Sequence, residues 1–128
     1  MPLISLLTNP SLLYSRSMVL SKPCPIPQQR GLYAWFFKDI PPSVPVEGCI
    51  TNGDNTLLYL GISPKDENST QNLRKRIITH YRHNAEGSTL RLTLGTLLTK
   101  QSGLPLRRVG SGKRMTFTHL GEQWLDIW

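Results

Sequence analysis

Two apolar runs of strand length stand out along the chain. Gly31 to Phe37 reads Gly-Leu-Tyr-Ala-Trp-Phe-Phe, and Thr56 to Ile62 reads Thr-Leu-Leu-Tyr-Leu-Gly-Ile. Aromatic and branched side chains bounded by turn residues predict strands, and the simplest pairing of the two is antiparallel. Between them, Pro41, Pro42, Pro45, Gly48 and the turn segment Asn52-Gly53-Asp54-Asn55 read as one long connection. The period then changes. Leu73, Ile77 and Tyr81 recur at helical spacing, with Ser69 or Thr70 as the expected cap. At 100° per residue His80 falls between Leu73 and Ile77, Arg76 borders that stripe, and Lys75 and Arg82 point the other way. Leu90, Leu94, Leu97 and Leu98 form a second helical stripe, capped by Ser88 and stopped by Gly103 and Pro105. A strand competes there because Leu90 to Leu94 also alternates, and the length to Leu98 favours the helix. Arg114 to Leu120 alternates and predicts a third strand, and Glu122 to Trp128 opens a last helix. The prolines at 2, 10, 23, 25 and 27 deny the first part of the chain a continuous ladder. Residues 1–21 therefore read as an N-terminal arm, and 22–128 as one α+β domain: a three-stranded, mainly antiparallel sheet flanked by helices.

At 128 residues the chain holds one core and has no room for a second full domain. Its longest uncharged stretch, Met1 to Ser15, is broken by Thr8, Asn9 and Pro10 and falls short of the ~20 apolar residues of a membrane span. No basic residue precedes the apolar patch Leu3 to Leu7 and no clear cleavage site follows it, so a cytoplasmic protein without a secretory leader or membrane partner is expected. Cys24 and Cys49 lack metal-ligand spacing to His80, His83 or His119 and read as free thiols. Fifteen Lys and Arg against eight Asp and Glu give a formal charge of +7, which favours phosphate-bearing partners. The cations gather at Arg74, Lys75, Arg76 and Arg82, and again at Arg107, Arg108, Lys113 and Arg114.

The order Gly31-Leu32-Tyr33, a loop, Tyr59-Leu60-Gly61, then Leu73 to Ile77 with Arg76, and His80 one turn on, resembles the GIY-YIG nuclease family. Leu replaces Ile in both motifs. Looked at more finely, the chain is similar to a bacterial subgroup with a long loop between the motifs and a Ser-Thr-Leu-Arg second helix, here Ser88 to Arg91. The resemblance implies hydrolysis of DNA phosphodiester bonds, with RNA as the other nucleic-acid substrate. It gives Tyr33 the role of orienting or deprotonating the attacking water, assisted by Tyr59 or His80, and gives Arg76 the scissile phosphate. Arg74, Lys75, Arg107, Arg108 and Lys113 are the expected contacts to the nucleic-acid backbone. The family cofactor is Mg²⁺, or Mn²⁺ in its place, held by one Glu on a helix after the third strand.

Here the pattern departs. Glu122 is the acid at that place, but its surroundings, Gly-Glu-Gln-Trp, do not match the family's Glu motif. Either Glu122 substitutes or the ligand is missing, and the second alternative would leave an inactive nucleic-acid-binding module of the same fold. The apolar end, with Trp124, Leu125, Ile127 and Trp128, reads as truncated, so weak metal binding, poor cleavage and self-association through the two indoles are expected.

Overall fold

A computed structural model describes residues 3–64, 66–82, 88–105, 107–108 and 115–128, with the backbone alone at 3, 107–108 and 115–116. In chain order the elements are α1 (Leu3–Thr8), α2 (Arg16–Val19), β1 (Gly31–Phe37), β2 (Thr51–Asn52), β3 (Asn55–Ser63), α3 (Leu73–Arg82), α4 (Thr89–Leu97), α5 (Thr99–Ser102), β4 (Arg107–Arg108), β5 (Met115–Thr116) and α6 (His119–Ile127). They fall into two compact units, Met1–Ile40 with Val44–Arg76, and Pro41–Ser43 with Ile77–Trp128.

The first unit is built on the antiparallel pair β1 and β3, in register from Gly31 opposite Ser63 to Phe37 opposite Thr56. Trp35 pairs with Tyr59 and Phe36 with Leu57, so Leu58 is the extra residue of a bulge. Side chains alternate across the pleat. Tyr33, Phe37 and Ser63 are buried on one face, while Leu32, Leu60 and Ile62 on the other are exposed. The sheet has three antiparallel strands, in the order β1-β3-β2, and the α+β class of the sequence reading stands.

Its third strand is not the expected segment. Thr51–Asn52 folds back on β3 through a hairpin at Gly53-Asp54. Gly53 takes φ +60°, the conformation that the first position of a type II′ turn requires. The expected strand Arg114 to Leu120 contains only the short β5, paired with β4 in a separate two-stranded sheet. The chain is helical from His119 because Thr118 Oγ1 accepts from Gly121 N at 3.1 Å, a side-chain cap that wins over the alternation.

The N-terminal segment belongs to the core of the first unit. Val19 and Ile26 are buried, α1 packs on β1, and Asn52 Nδ2 donates to Pro10 O at 3.1 Å. Helix α3 is capped by Asn72, whose Oδ1 accepts from Lys75 N at 3.0 Å, rather than by Ser69 or Thr70. Ser69 Oγ caps an earlier turn by accepting from Gln71 N at 3.1 Å.

In the second unit Ser88 caps α4 as expected, accepting from Arg91 N at 3.0 Å. The helical stripe is interrupted once, and α5 follows before Gly103 at φ +70° ends it. Leu90, Leu98 and Phe117 are the buried apolar residues beside Ile77. Gly95 lets α4 approach closely, since a Cβ there would collide with the Phe117 ring. No helix among the described residues is long and apolar enough to cross a membrane.

Candidate active site

Register explains the two glycine-tyrosine motifs. Tyr33 on β1 lies opposite Gly61 on β3, and its ring crosses the space a side chain at 61 would fill: a Cβ there would collide with Tyr33 Cζ, Oη and Cε1. Gly31 lies under the next element: a Cβ there would meet Leu73 Cδ1 of α3 at 2.9 Å, and that side chain would have to shift. The first motif therefore gives a tyrosine a place to lie, and the second empties that place.

Tyr59 sits two residues before Gly61 on the same face of the strand. Its ring centroid is 6.3 Å from that of Tyr33, with the planes tilted by 37°. Arg76, in the first turn of α3, donates to the Tyr33 hydroxyl, and the hydroxyls of Tyr33 and Tyr59 share a hydrogen bond. Burial pushes the Tyr33 phenol up to about 12, and the neighbouring Tyr59 acts the same way. The Arg76 guanidinium works against both and loses. At pH 7 a phenol of that acidity is ionised in only on the order of one molecule in 10⁵. Tyr33 therefore rests as a neutral hydroxyl that can accept from one neighbour while donating to another.

Tyr33, Tyr59 and Arg76 come together within the first unit. His80 lies in the second unit and is buried, with Nδ1 2.6 Å from Ser88 Oγ. The wheel reading of α3 agrees with the structure: Ile77 and His80 are buried, Arg76 is half-buried, and Lys75 and Arg82 are exposed. Arg74, an expected backbone contact, turns its fork to the protein itself. Its Nε donates to Ile26 O at 2.7 Å and its Nη2 to Cys24 O at 3.4 Å. Lys75 Nζ donates to Thr70 O at 3.3 Å from an exposed position. Arg107 and Arg108 occupy β4 with side chains outside the described parts, and Lys113 lies outside the described residues.

Glu122, the expected metal ligand, stands in the first turn of α6 with its carboxylate on Arg91. Oε1 accepts from Arg91 Nη2 at 3.0 Å and from Nε at 3.3 Å, and Oε2 accepts from Phe117 N at 3.4 Å. Arg91 Nη1 also lies 2.8 Å from Asp126 Oδ1. Oδ1 thus has an ion pair but no hydrogen-bond partner among the described residues. The guanidinium reaches back further, to His80 O at 3.3 Å and Glu122 O at 2.9 Å. It is an almost completely buried cation facing two carboxylates.

A hard divalent ion competes for the same lone pairs and is repelled by the same guanidinium. The described residues therefore do not fit a metal at Glu122, and no group of three or more His, Cys, Asp or Glu among them could hold one. The sequence reading did not single out the Arg91 ion pairs. Their signal was present: at 100° per residue Arg91 falls beside Leu98 on the buried stripe of α4, and Glu122 and Asp126 are four apart on one helix face.

No curated protein and no solved structure matches the chain significantly. The family model of the GIY-YIG catalytic domain does match it, over residues 31–128. That span holds both motifs, the arginine-bearing helix α3 and the paired strands on which the tyrosines meet, and the chain belongs to the GIY-YIG family, whose domains are nuclease-type and generally depend on a divalent metal.

Proposed function

We propose that this chain hydrolyses phosphodiester bonds in DNA, with Tyr33, Tyr59 and Arg76 as its catalytic residues. The observation that carries the reading is the hydrogen-bonded series Arg76, Tyr33 and Tyr59 laid over Gly61. Arg76 binds the non-bridging oxygens of the scissile phosphate, where negative charge builds up as water attacks phosphorus. Its planar fork has five N–H donors, so it can hold Tyr33 and a phosphate oxygen together. The neutral Tyr33 hydroxyl accepts from the attacking water and passes its own O–H to Tyr59, which fixes the direction of attack. Being neutral, Tyr33 positions the water; the proton that leaves the water passes to bulk solvent, and solvent protonates the leaving oxygen. Lys75, Arg107, Arg108 and Lys113 supply contacts to flanking phosphates.

The test is nicking of supercoiled plasmid in Mg²⁺ or Mn²⁺ by the whole chain and by Tyr33→Phe and Arg76→Ala. Each variant is expected to lose about 100-fold or more in rate, the usual size for removing one group aimed at developing charge. Unchanged cleavage by Tyr33→Phe would rule this mechanism out.

A second reading is favoured by one observation. Because Arg91 occupies the Glu122 carboxylate, the chain also reads as a nucleic-acid-binding module that has the fold without turnover. Salt-dependent binding to duplex DNA, with no nicking in either metal, would establish that reading over the first.

A further inference from the structure

Two arginines leave the first turn of α3 on nearly opposite sides, because residues two apart are separated by about 200° around a helix. Arg76 runs to the Tyr33 hydroxyl. Arg74 runs the other way and is half-buried, with Nε donating to Ile26 O at 2.7 Å and Nη2 to Cys24 O at 3.4 Å. Two donors of one planar group on two carbonyls fix its rotation as well as its distance. The acceptors are fixed in their turn: Ile26 is buried, and Pro25 and Pro27, which have no N–H, keep this stretch out of any strand ladder.

The other ties at this end of α3 act on its backbone. Leu73 N donates to Gln29 O at 2.9 Å, and Asn72 Oδ1 accepts from Lys75 N. They hold the end of the helix in place. The Arg74 fork, on the far side of the helix from Arg76, resists the roll about the helix axis that would draw Arg76 off the phenol. Arg74 does not act on that phenol itself: burial, Tyr59 and Arg76 are what shift it. Any effect of Arg74 on Tyr33 must therefore pass through Arg76.

We infer that Arg74 is a positioning residue, whose grip on Ile26 O and Cys24 O sets the roll of α3 at which Arg76 meets Tyr33. The inference rests on the phosphate role proposed for Arg76, because the aim of Arg76 at the phosphate is what that roll decides. It also removes Arg74 from the basic residues expected on the nucleic-acid backbone, although its neighbour Lys75 stays among them.

The experiment uses Arg74→Lys in the whole chain. A lysine keeps the charge and serves a phosphate as a point cation, but it has no planar fork to span two carbonyls. The first readout is the ¹³Cζ chemical shift of Tyr33 at pH 7 without DNA or metal, which reports hydrogen bonding to the phenol; the second is plasmid nicking. Arg74→Lys is expected to move the Tyr33 signal most of the way to its position in Arg76→Ala, and Arg74→Gln, which keeps a single donor group, to move it the same way. The double variant Arg74→Lys/Arg76→Ala should show no shift beyond that of Arg76→Ala alone. In nicking, kcat is expected to fall about tenfold at an unchanged KM for DNA, since a displacement of about 1 Å in a reacting group is enough for such a loss. The tyrosine signal needs no cleavage, so a parent chain that does not nick would sink the nuclease reading while the shift still decides the role of Arg74. A Tyr33 signal that stays in place in both Arg74 variants, even at a lowered melting temperature, would overturn the proposal. So would an Arg74→Gln chain that binds DNA more weakly with a salt slope reduced by about one and an unmoved Tyr33, the signature of a lost phosphate contact.

Discussion

Arg76 in the first compact unit and Arg91 in the second are both drawn in from solvent, and the two are held in opposite ways. Arg91 is almost fully buried and faces two carboxylates, so its charge is cancelled on the spot. Arg76 is half-buried and gives a hydrogen bond to a phenol, which orients the guanidinium. A cation between two carboxylates binds one piece of chain to another; one oriented by a neutral phenol has the N–H donors that the proposed phosphate role needs. The comparison teaches that burial alone does not say what a cation is there to do. The acid that the sequence offered as a metal ligand belongs to the first kind of arrangement, and the arginine beside a neutral tyrosine to the second.

The sharpest way to break the comparison is to remove each arginine and read stability and rate separately. Arg91→Ala leaves Glu122 and Asp126 facing each other without their cation and is expected to cost about 3 kcal/mol, seen as a large fall in melting temperature. Arg76→Ala is expected to change stability by less than ~1 kcal/mol while removing nuclease activity. If the two variants melted alike, the distinction between a structural and a receptive arginine would fail. Glu122→Gln sharpens it further. It keeps an acceptor for Arg91 but gives up the charge, so a lower melting temperature in metal-free buffer is expected, and a metal-dependent difference alone would return Glu122 to the role of ligand.

Gly61→Ala comes next. The added methyl must displace the Tyr33 ring, and overpacking of this kind costs about 1–3 kcal/mol. The diagnostic sign is a Tyr33 phenol that titrates lower once it is pushed out of its buried place.

The smallest effect is the titration itself. Ultraviolet difference spectra between the chain and Tyr33→Phe should place the Tyr33 midpoint near 12. Tyr59→Phe removes a neighbour that holds the proton on and should lower the midpoint; Arg76→Ala removes the opposing cation and should raise it. The linkage sign follows from a folded value above the ordinary 10 of an unfolded tyrosine. Below pH 10 both states keep the proton and stability is untouched; between 10 and 12 the unfolded chain loses it first, so stability declines with rising pH. A midpoint at the ordinary value would mean that Tyr33 is not buried as described.

Much of the first unit was legible because its signals are local. The apolar run at 31–37 coincides with β1, the second lies within β3, and the wheel put Arg76 at the border and His80 inside. The tyrosines and Arg76 could be named because each motif lies on an element of its own and the order of elements implies their meeting. What was missed depends on competition between signals. The hairpin at Gly53 was folded into a long proline-rich connection, although Asn-Gly beside an apolar run is a strong turn signal. The alternation at 114–120 looked like a strand until Thr118 capped a helix inside it. Arg91 was hidden because a charged residue on an apolar stripe is meaningful only when its partners are known, and these lie 31 residues or more away on another helix.

The grip of Arg74 on Cys24 O and Ile26 O bears on where the domain begins as a physical object. The family match starts at residue 31, yet two carbonyls before it satisfy a guanidinium on α3, Gln29 O accepts from Leu73 N at 2.9 Å, and Val19 and Ile26 are buried. A fragment cut at the edge of the match would lose the acceptors that hold the first turn of the helix carrying Arg76. The leading segment is thus a splint on that helix, and a family profile that omits it describes what relatives share and leaves out what this chain uses to keep its arginine in place.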